Sequence, residues 1–319
     1  MNDIEKVLEG RKVVEAYQER HADFGKGKLG KTTHADLGLE LAQGLEQVGL
    51  TMESLAALES QHYLELVPYS NLRGEKFRMT VSTDPNRPQG QATARFYAVR
   101  QAISEGASPY TIQFSTAPRP TLTVSKTTAL ESATVCQIGP VKTRLDAAKC
   151  EELGITVNVN PTSAMNFGSL TAKGDYAFQL ICPGVKHRTM QYILMALLER
   201  LGLTPAIGAS PTEIAVNGKV IASLSSSKGE KVDRGSTLIH SAFDYSVASA
   251  VFQVPIEEIR KTTTSLQEEL GEIPSVFIAT DTLKRIFTED FAAEVTEGSY
   301  SDYELSLAAA EMEKTVPEV

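Results

Sequence analysis

The sequence predicts an α/β (α+β) protein with an α-helical amino-terminal extension. Three observations carry this. Apolar residues recur at helical spacing up to about residue 60, strand and helix patterns intermix from about residue 94 onward, and Asn217-Gly218 joins two apolar runs as a strong hairpin signal. A chain of 319 residues, 42% hydrophobic, can bury one large core and carry an appendage.

In the extension, Ile4, Val7 and Leu8 and then Val13, Val14 and Tyr17 mark one helix, and Leu37, Leu41, Leu45 and Val48 another, after a Gly/Lys-rich break. Tyr63, Leu64, Leu66 and Val67 precede a Ser-Asn-Leu-Arg-Gly turn, and Phe77, Met79 and Val81 alternate after it, which predicts a hairpin. DPNRPQGQ at 84–91 is dense in Pro, Gly and polar residues and sets the expected boundary: an extension over 1–90, a main domain over 91–290 and a carboxyl-terminal helix over 291–319.

Within the main domain, Ala94 to Ile103 is helical, and 111–115 and 120–126 are strands. A short helix over 146–153 ends at Gly154 and leads into the strand ITVNVN. YAFQLIC (176–182) is a strand, TMQYILMALLERLGL (189–203) a core helix, EIAVNGKVIASLS (213–225) a hairpin and LIHSAFDY (238–245) a further strand. PIEEIR, DTLKRIFTEDFAAEV and YSDYELSLAAAEMEK complete the chain as helices.

The balance of 31 basic against 40 acidic residues argues against nucleic acid or an anionic membrane as partner, while leaving room for a local basic patch. Cys136, Cys150 and Cys182 are odd in number and far apart, which points to neither a disulfide framework nor a metal site. With no apolar leader or spanning segment in the sequence, a cytoplasmic location is expected.

ITVNVNPTSAMNFGSLTAKGDYAFQL (155–180) resembles, without a gap, the segment of the lipoate-protein ligase and octanoyltransferase family (the biotin/lipoate ligase fold) that reads Arg-Arg-Pro-(Ser/Thr)-Gly-Gly-Gly-Ala, His-Asp and Gly-(Asp/Asn)-Leu-Asn-Tyr-Ser. The arginines fall on Val159 and Asn160, the glycines on Ser163, Ala164 and Met165, and His-Asp on Ser169 and Leu170. LDAAKCEELGITV, AVNGKVIAS and TLIHSAFDY are similar to further family segments in the same order. The resemblance implies a mixed sheet flanked by helices that binds an acyl chain beside the glycine-rich loop and, with ATP and Mg, transfers lipoate or octanoate to a lysine of a carrier domain. It also implies a substrate pocket at Thr162, Ser163, Ala164, Met165, Ser169, Val220 and His240.

The chemistry of that pocket is altered. Side chains stand where glycines let main chain approach a ligand, and Met165 obstructs an acyl-adenylate. The family's lysine, a cation aimed at the acyl carbonyl, falls on Val220; Lys219 is one residue early and faces the other side of a regular strand. Each cysteine sits in an apolar run or a helix rather than a loop suited to a nucleophile. His240, lacking the His-Asp pair, has no partner evident in sequence, and SSSKGEKVDRG (225–235) offers Lys228, Lys231 and Arg234 as a loop able to take phosphate.

Gly25, Gly30, Lys31 and Thr32 match a P-loop literally, but a helical pattern precedes them where that motif needs a strand. The expected protein is therefore a ligase-like, non-catalytic binding or regulatory subunit with no cofactor of its own, whose partner is a lipoyl carrier domain or another protein subunit. Active acyl transfer using Lys219 or Lys228, and a P-loop nucleotide module, are the two alternatives.

Overall fold

A computed structural model describes residues 1–25, 32–62, 72–87, 91–125, 135–138, 141–144, 147–160, 168–208 and 212–315. The chain forms two compact units, Met1–Ser70 and Asn71–Val319. In the first, α1 (Asp3–Gly25), α2 (His34–Gln47) and α3 (Met52–Gln61) share a core of Val7, Leu45, Leu50 and Leu55. Thr33 and Thr51 cap α2 and α3 through reciprocal bonds with Asp36 and Ser54, satisfying amides that the first helical turn leaves bare.

The second unit is built on an eight-stranded sheet. Its strands are β1 (Lys76–Ser82), β2 (Tyr110–Thr116), β8 (Tyr176–Cys182), β9 (Pro205–Ile207), β10 (Glu213–Val216), β11 (Lys219–Ser227), β12 (Asp233–Ile239) and β13 (Glu294–Glu297), in the order β13-β1-β2-β8-β12-β11-β10-β9. β13, β1 and β2 run parallel and the remaining pairs antiparallel. A smaller sheet joins β3 (Thr121–Ser125), β6 (Thr156–Asn160) and β7 (Gly168–Thr171), and β4 (Val135–Ile138) pairs with β5 (Val141–Arg144).

The two faces of the large sheet differ in chemistry. Side chains alternate along each strand, so one face collects Met79, Ile112, Phe114, Phe178, Leu180 and Leu224, all buried. This face is covered by α6 (His187–Arg200), whose Met190, Ile193, Leu194 and Leu197 are fully buried, and by the π turn Ile286–Asp290 after α10 (Val276–Arg285), where Phe287 meets Phe77 edge-on. The other face is partly covered by α4 (Gln91–Ser104), through Phe96, Val99 and Ile103 against Ile181, with α11 (Asp302–Thr315) packed behind it on Ala94 and Ala98. The small sheet and α5 (Ala147–Glu152) bury Leu122, Cys150, Ile155 and Leu170 against α7 (Tyr245–Phe252) and α8 (Ile256–Thr262); α9 (Leu266–Leu270) follows.

The mixed sheet flanked by helices and the helical extension agree with the sequence expectation. Four local expectations need correction. The strand at 76–82 lies between β2 and β13 of the large sheet instead of in a hairpin of the extension, and the units divide at Ser70/Asn71 rather than near residue 90. Its expected hairpin partner at 63–67 lies outside the described residues. Val295, expected in a helix, is in β13. The strand expected over 238–245 spans 233–239, because Asp175 captures Ser241 N at 2.9 Å and Asp244 caps α7.

Candidate functional site

Register assigns the half-covered face of the large sheet residue by residue, since directly paired residues on neighbouring strands share a face. One row runs Thr80, Gln113, Gln179, Ser236 and Ser225 across β1, β2, β8, β12 and β11. The next runs Ser82, Ser115, Ala177, Leu238, Ser223 and Glu213. All six members of this second row are half-buried and most are small, giving a shelf about 24 Å long at the usual strand spacing. In the first row, burial eases from Thr80 and Gln113 to the exposed Ser225.

Polarity on this face exceeds what packing uses. Gln113 Nε2, Gln179 Oε1 and Arg234 Nε are buried without a hydrogen-bond partner among the described residues, each at a cost of about 1–3 kcal/mol. A saturated acyl chain would leave all three unsatisfied.

The β11 end of the shelf is set by a bulge. Ile214 opposes Ala222 but Ala215 opposes Val220, so Ile221 is an inserted residue. The insertion turns Val220 onto the shelf face with Ala215 and puts Lys219, opposite the buried Val216, on the helix-covered face. On an unbulged strand the two would be exchanged. The turn before them, Asn217 (φ +52°) and Gly218 (φ +77°), has two left-handed residues, as an Asn-Gly hairpin of the I′ type needs.

Beyond Leu238, His240 Nδ1 lies 3.1 Å from Asp175 Oδ2, and the His240 ring stands edge-on to Phe243. Asp175 is fully buried and also accepts from Ala172 N, Ser241 N and Ser241 Oγ. The partner of His240 was not evident in the sequence because it is supplied by the β8–β12 register. Its one signal was the Gly174-Asp175 pair, which fits the Gly-(Asp/Asn) step of the family segment. The group is a hydrogen-bonded junction of two strand ends, in which the Ser241 hydroxyl donates to Asp175.

At the β1 end, Arg87 Nη1 and Arg95 Nη1 approach Ser82 Oγ at 2.9 and 3.3 Å, and Arg87 Nη2 donates to Thr116 O at 3.0 Å. Neither arginine is among the residues singled out in the sequence: Arg87 lies within the expected linker at 84–91 and Arg95 in the helix that follows it.

The other expected site residues divide. Thr162, Ser163, Ala164 and Met165 lie outside the described residues, as do Gly30 and Lys31. Ser169 is in β7, paired with Thr123, and Leu170 beside it, where the family has its acid, is buried in the core of the small sheet. The three cations of 225–235 do not converge. Lys228 and Lys231 are exposed, whereas the Arg234 guanidinium lies 4.3 Å over the Phe96 ring. Gly25 ends helix α1 and Thr32 precedes the cap of α2, where the Asp36 carboxylate accepts from Thr33. A carboxylate at that helix start would repel phosphate, so the P-loop match lacks its structural setting. Cys150 and Cys182 are buried and in no disulfide among the described residues, and burial pushes the Cys182 thiol well up, against a nucleophilic role; the side chain of Cys136 lies outside the described residues.

No protein-family model and no curated protein matches the sequence. Solved structures do match the fold. A crystal structure of lipoate-protein ligase A bound with ATP superposes with a TM-score of 0.59 at 18% identity, covering 75% of this chain and 95% of that one. The chain has the lipoate-protein ligase fold. A bi-partite lipoate protein ligase of Thermoplasma acidophilum, described with its E2 lipoyl domain, gives a TM-score of 0.57 at 17% identity over 75% of this chain and 93% of that one. P. falciparum LipL1 in complex with lipoate gives 0.52 at 9% identity, covering 73% and 71%. On this fold, the shelf, the bulged hairpin and the Asp175–His240 junction are the features from which a ligand site can be built.

Proposed function

We propose that this protein is a non-catalytic binding or regulatory subunit on the lipoate ligase fold, with a lipoyl carrier domain as its partner. The supporting observation is Val220. The bulge in β11 aims this neutral side chain at the shelf, where the family resemblance calls for a lysine. Acyl activation needs a fixed cation at the developing charge, and a valine supplies none. Lys219 faces the helix-covered side and Lys228 is exposed in the β11–β12 turn, so neither replaces it. The residues present therefore do not fit ATP-driven lipoate activation. The carrier-domain partner is suggested by the T. acidophilum ligase, which is described together with its lipoyl domain.

The test incubates the full chain with ATP, Mg, lipoate or octanoate and a lipoyl domain, then weighs the domain by intact mass. Its mass is expected to stay unchanged while calorimetry detects binding of the domain to the chain. A mass gain above background overturns the non-catalytic reading, and absence of binding overturns the partner.

A further inference from the structure

We propose that the β1 end of the shelf is an oxyanion site, taking a carboxylate or phosphate group between Arg87, Arg95 and the Ser82 hydroxyl. The proposal goes beyond the binding-subunit reading and does not depend on it. Arg87 is only 4% exposed and Arg95 is half-buried, yet neither makes an ion pair among the described residues. Arginine is seldom buried without a counter-charge, because the lost hydration must be offset.

The donors are arranged around one point. Ser82 Oγ accepts from both guanidinium groups, which occupies its lone pairs and leaves its O–H to donate. Ser115, the cross-strand partner of Ser82, adds a second hydroxyl on the same face. Each guanidinium carries five N–H groups, so donors remain after the bonds to Ser82 O and Thr116 O are counted. Asp84, whose charge acts on Arg87, is exposed and accepts from Asn86 N at 2.8 Å. The Tyr300 ring stacks 4.9 Å from the Arg95 guanidinium and holds it in place.

A purely structural role explains only half of this. Arg87 ties the end of β1 to the end of β2 through two carbonyls, which accounts for Arg87 alone. It does not account for a second cation drawn to the same hydroxyl, where burial first and then the charge of Arg95 depress the Arg87 pKa. An oxyanion seated between them accepts from both forks and from the hydroxyl.

Inorganic phosphate and acetate are the probes, titrated into the full chain at matched ionic strength while the thermal midpoint is followed. A saturable rise with at least one of them is expected, and the one that saturates at lower concentration identifies the class. Arg95→Gln, at a half-buried position, should weaken that anion by about thirtyfold or more. Ser82→Ala should weaken it less, and Lys228→Gln, in an exposed turn, should leave it unchanged. Saturation by neither anion, or equal affinity in wild type and Arg95→Gln, overturns the proposal.

Discussion

At the scale of single residues, the described residue that locks the carboxyl-terminal helix is Glu304. Its side chain is fully buried and receives Arg78 Nη1 and Nη2 at 2.9 and 2.5 Å, while its second function is to cap α11 through Ser301 N at 2.8 Å. Burial raises its pKa, but the bonds from Arg78 and Ser301, the charge of Arg78 and a bond from Ser108 together outweigh it and hold the carboxyl below its ordinary 4.5. A depressed folded-state pKa contributes stability that is fully present above 4.5 and is lost as pH falls through the lower folded value. Glu304→Ala leaves Arg78 buried and uncompensated, and is expected to cost about 3–5 kcal/mol at neutral pH. Glu304→Gln should flatten the acid limb of a stability profile measured by urea unfolding; an unchanged limb would show that the pair contributes nothing there. None of this was legible in the sequence, since Arg78 and Glu304 are 226 residues apart and look like any surface charges.

At the scale of elements, local pattern foretold most of what formed. The helix at 91–104, the strand at 176–182 and the Asn217-Gly218 hairpin follow from periodicity and turn chemistry alone. What local pattern could not supply was partnership. β1 alternates as any strand does, and only the folded sheet shows that it runs parallel to β2 and β13. The bulge at Ile221 was equally hidden, because an inserted residue leaves the apolar run intact while exchanging the faces of Val220 and Lys219. The seating of α6 on the sheet offers a test. A Cβ on Gly235 of β12 would stand 2.1 Å from Met190 Sδ, and Met190 is fully buried with little room to turn aside. Gly235→Ala should therefore cost about 1–3 kcal/mol by overpacking. Met190→Ala in the same chain should recover part of that loss, a coupling readable in a double-mutant cycle of unfolding free energies. Strict additivity of the two changes would mean that the helix is seated elsewhere.

At the scale of the whole molecule, the charge balance of −9 conceals a local exception. Arg87, Arg95, Arg100 and Arg234 line the α4 side of the sheet without an ion pair among the described residues, so an acidic protein presents a cationic floor. That floor belongs to the larger unit, and the helical unit has a core of its own. Its cluster is built from residues 4–58 alone, with Gly44 allowing α2 to approach Val13 of α1 so closely that a Cβ would lie 2.7 Å from Cγ1. A unit of this size is marginal by itself, whereas the larger one buries several clusters around a continuous sheet. A chain beginning at Asn71 is thus expected to fold and to unfold cooperatively within about 4 °C of the full protein, the shift that ~1 kcal/mol produces in a domain of this size. The isolated segment ending at Ser70 should show helical circular dichroism that melts broadly at a lower temperature. If the chain from Asn71 instead fails to fold, the sheet owes its stability to the helices that precede it, and the division between Ser70 and Asn71 does not mark independent folding units.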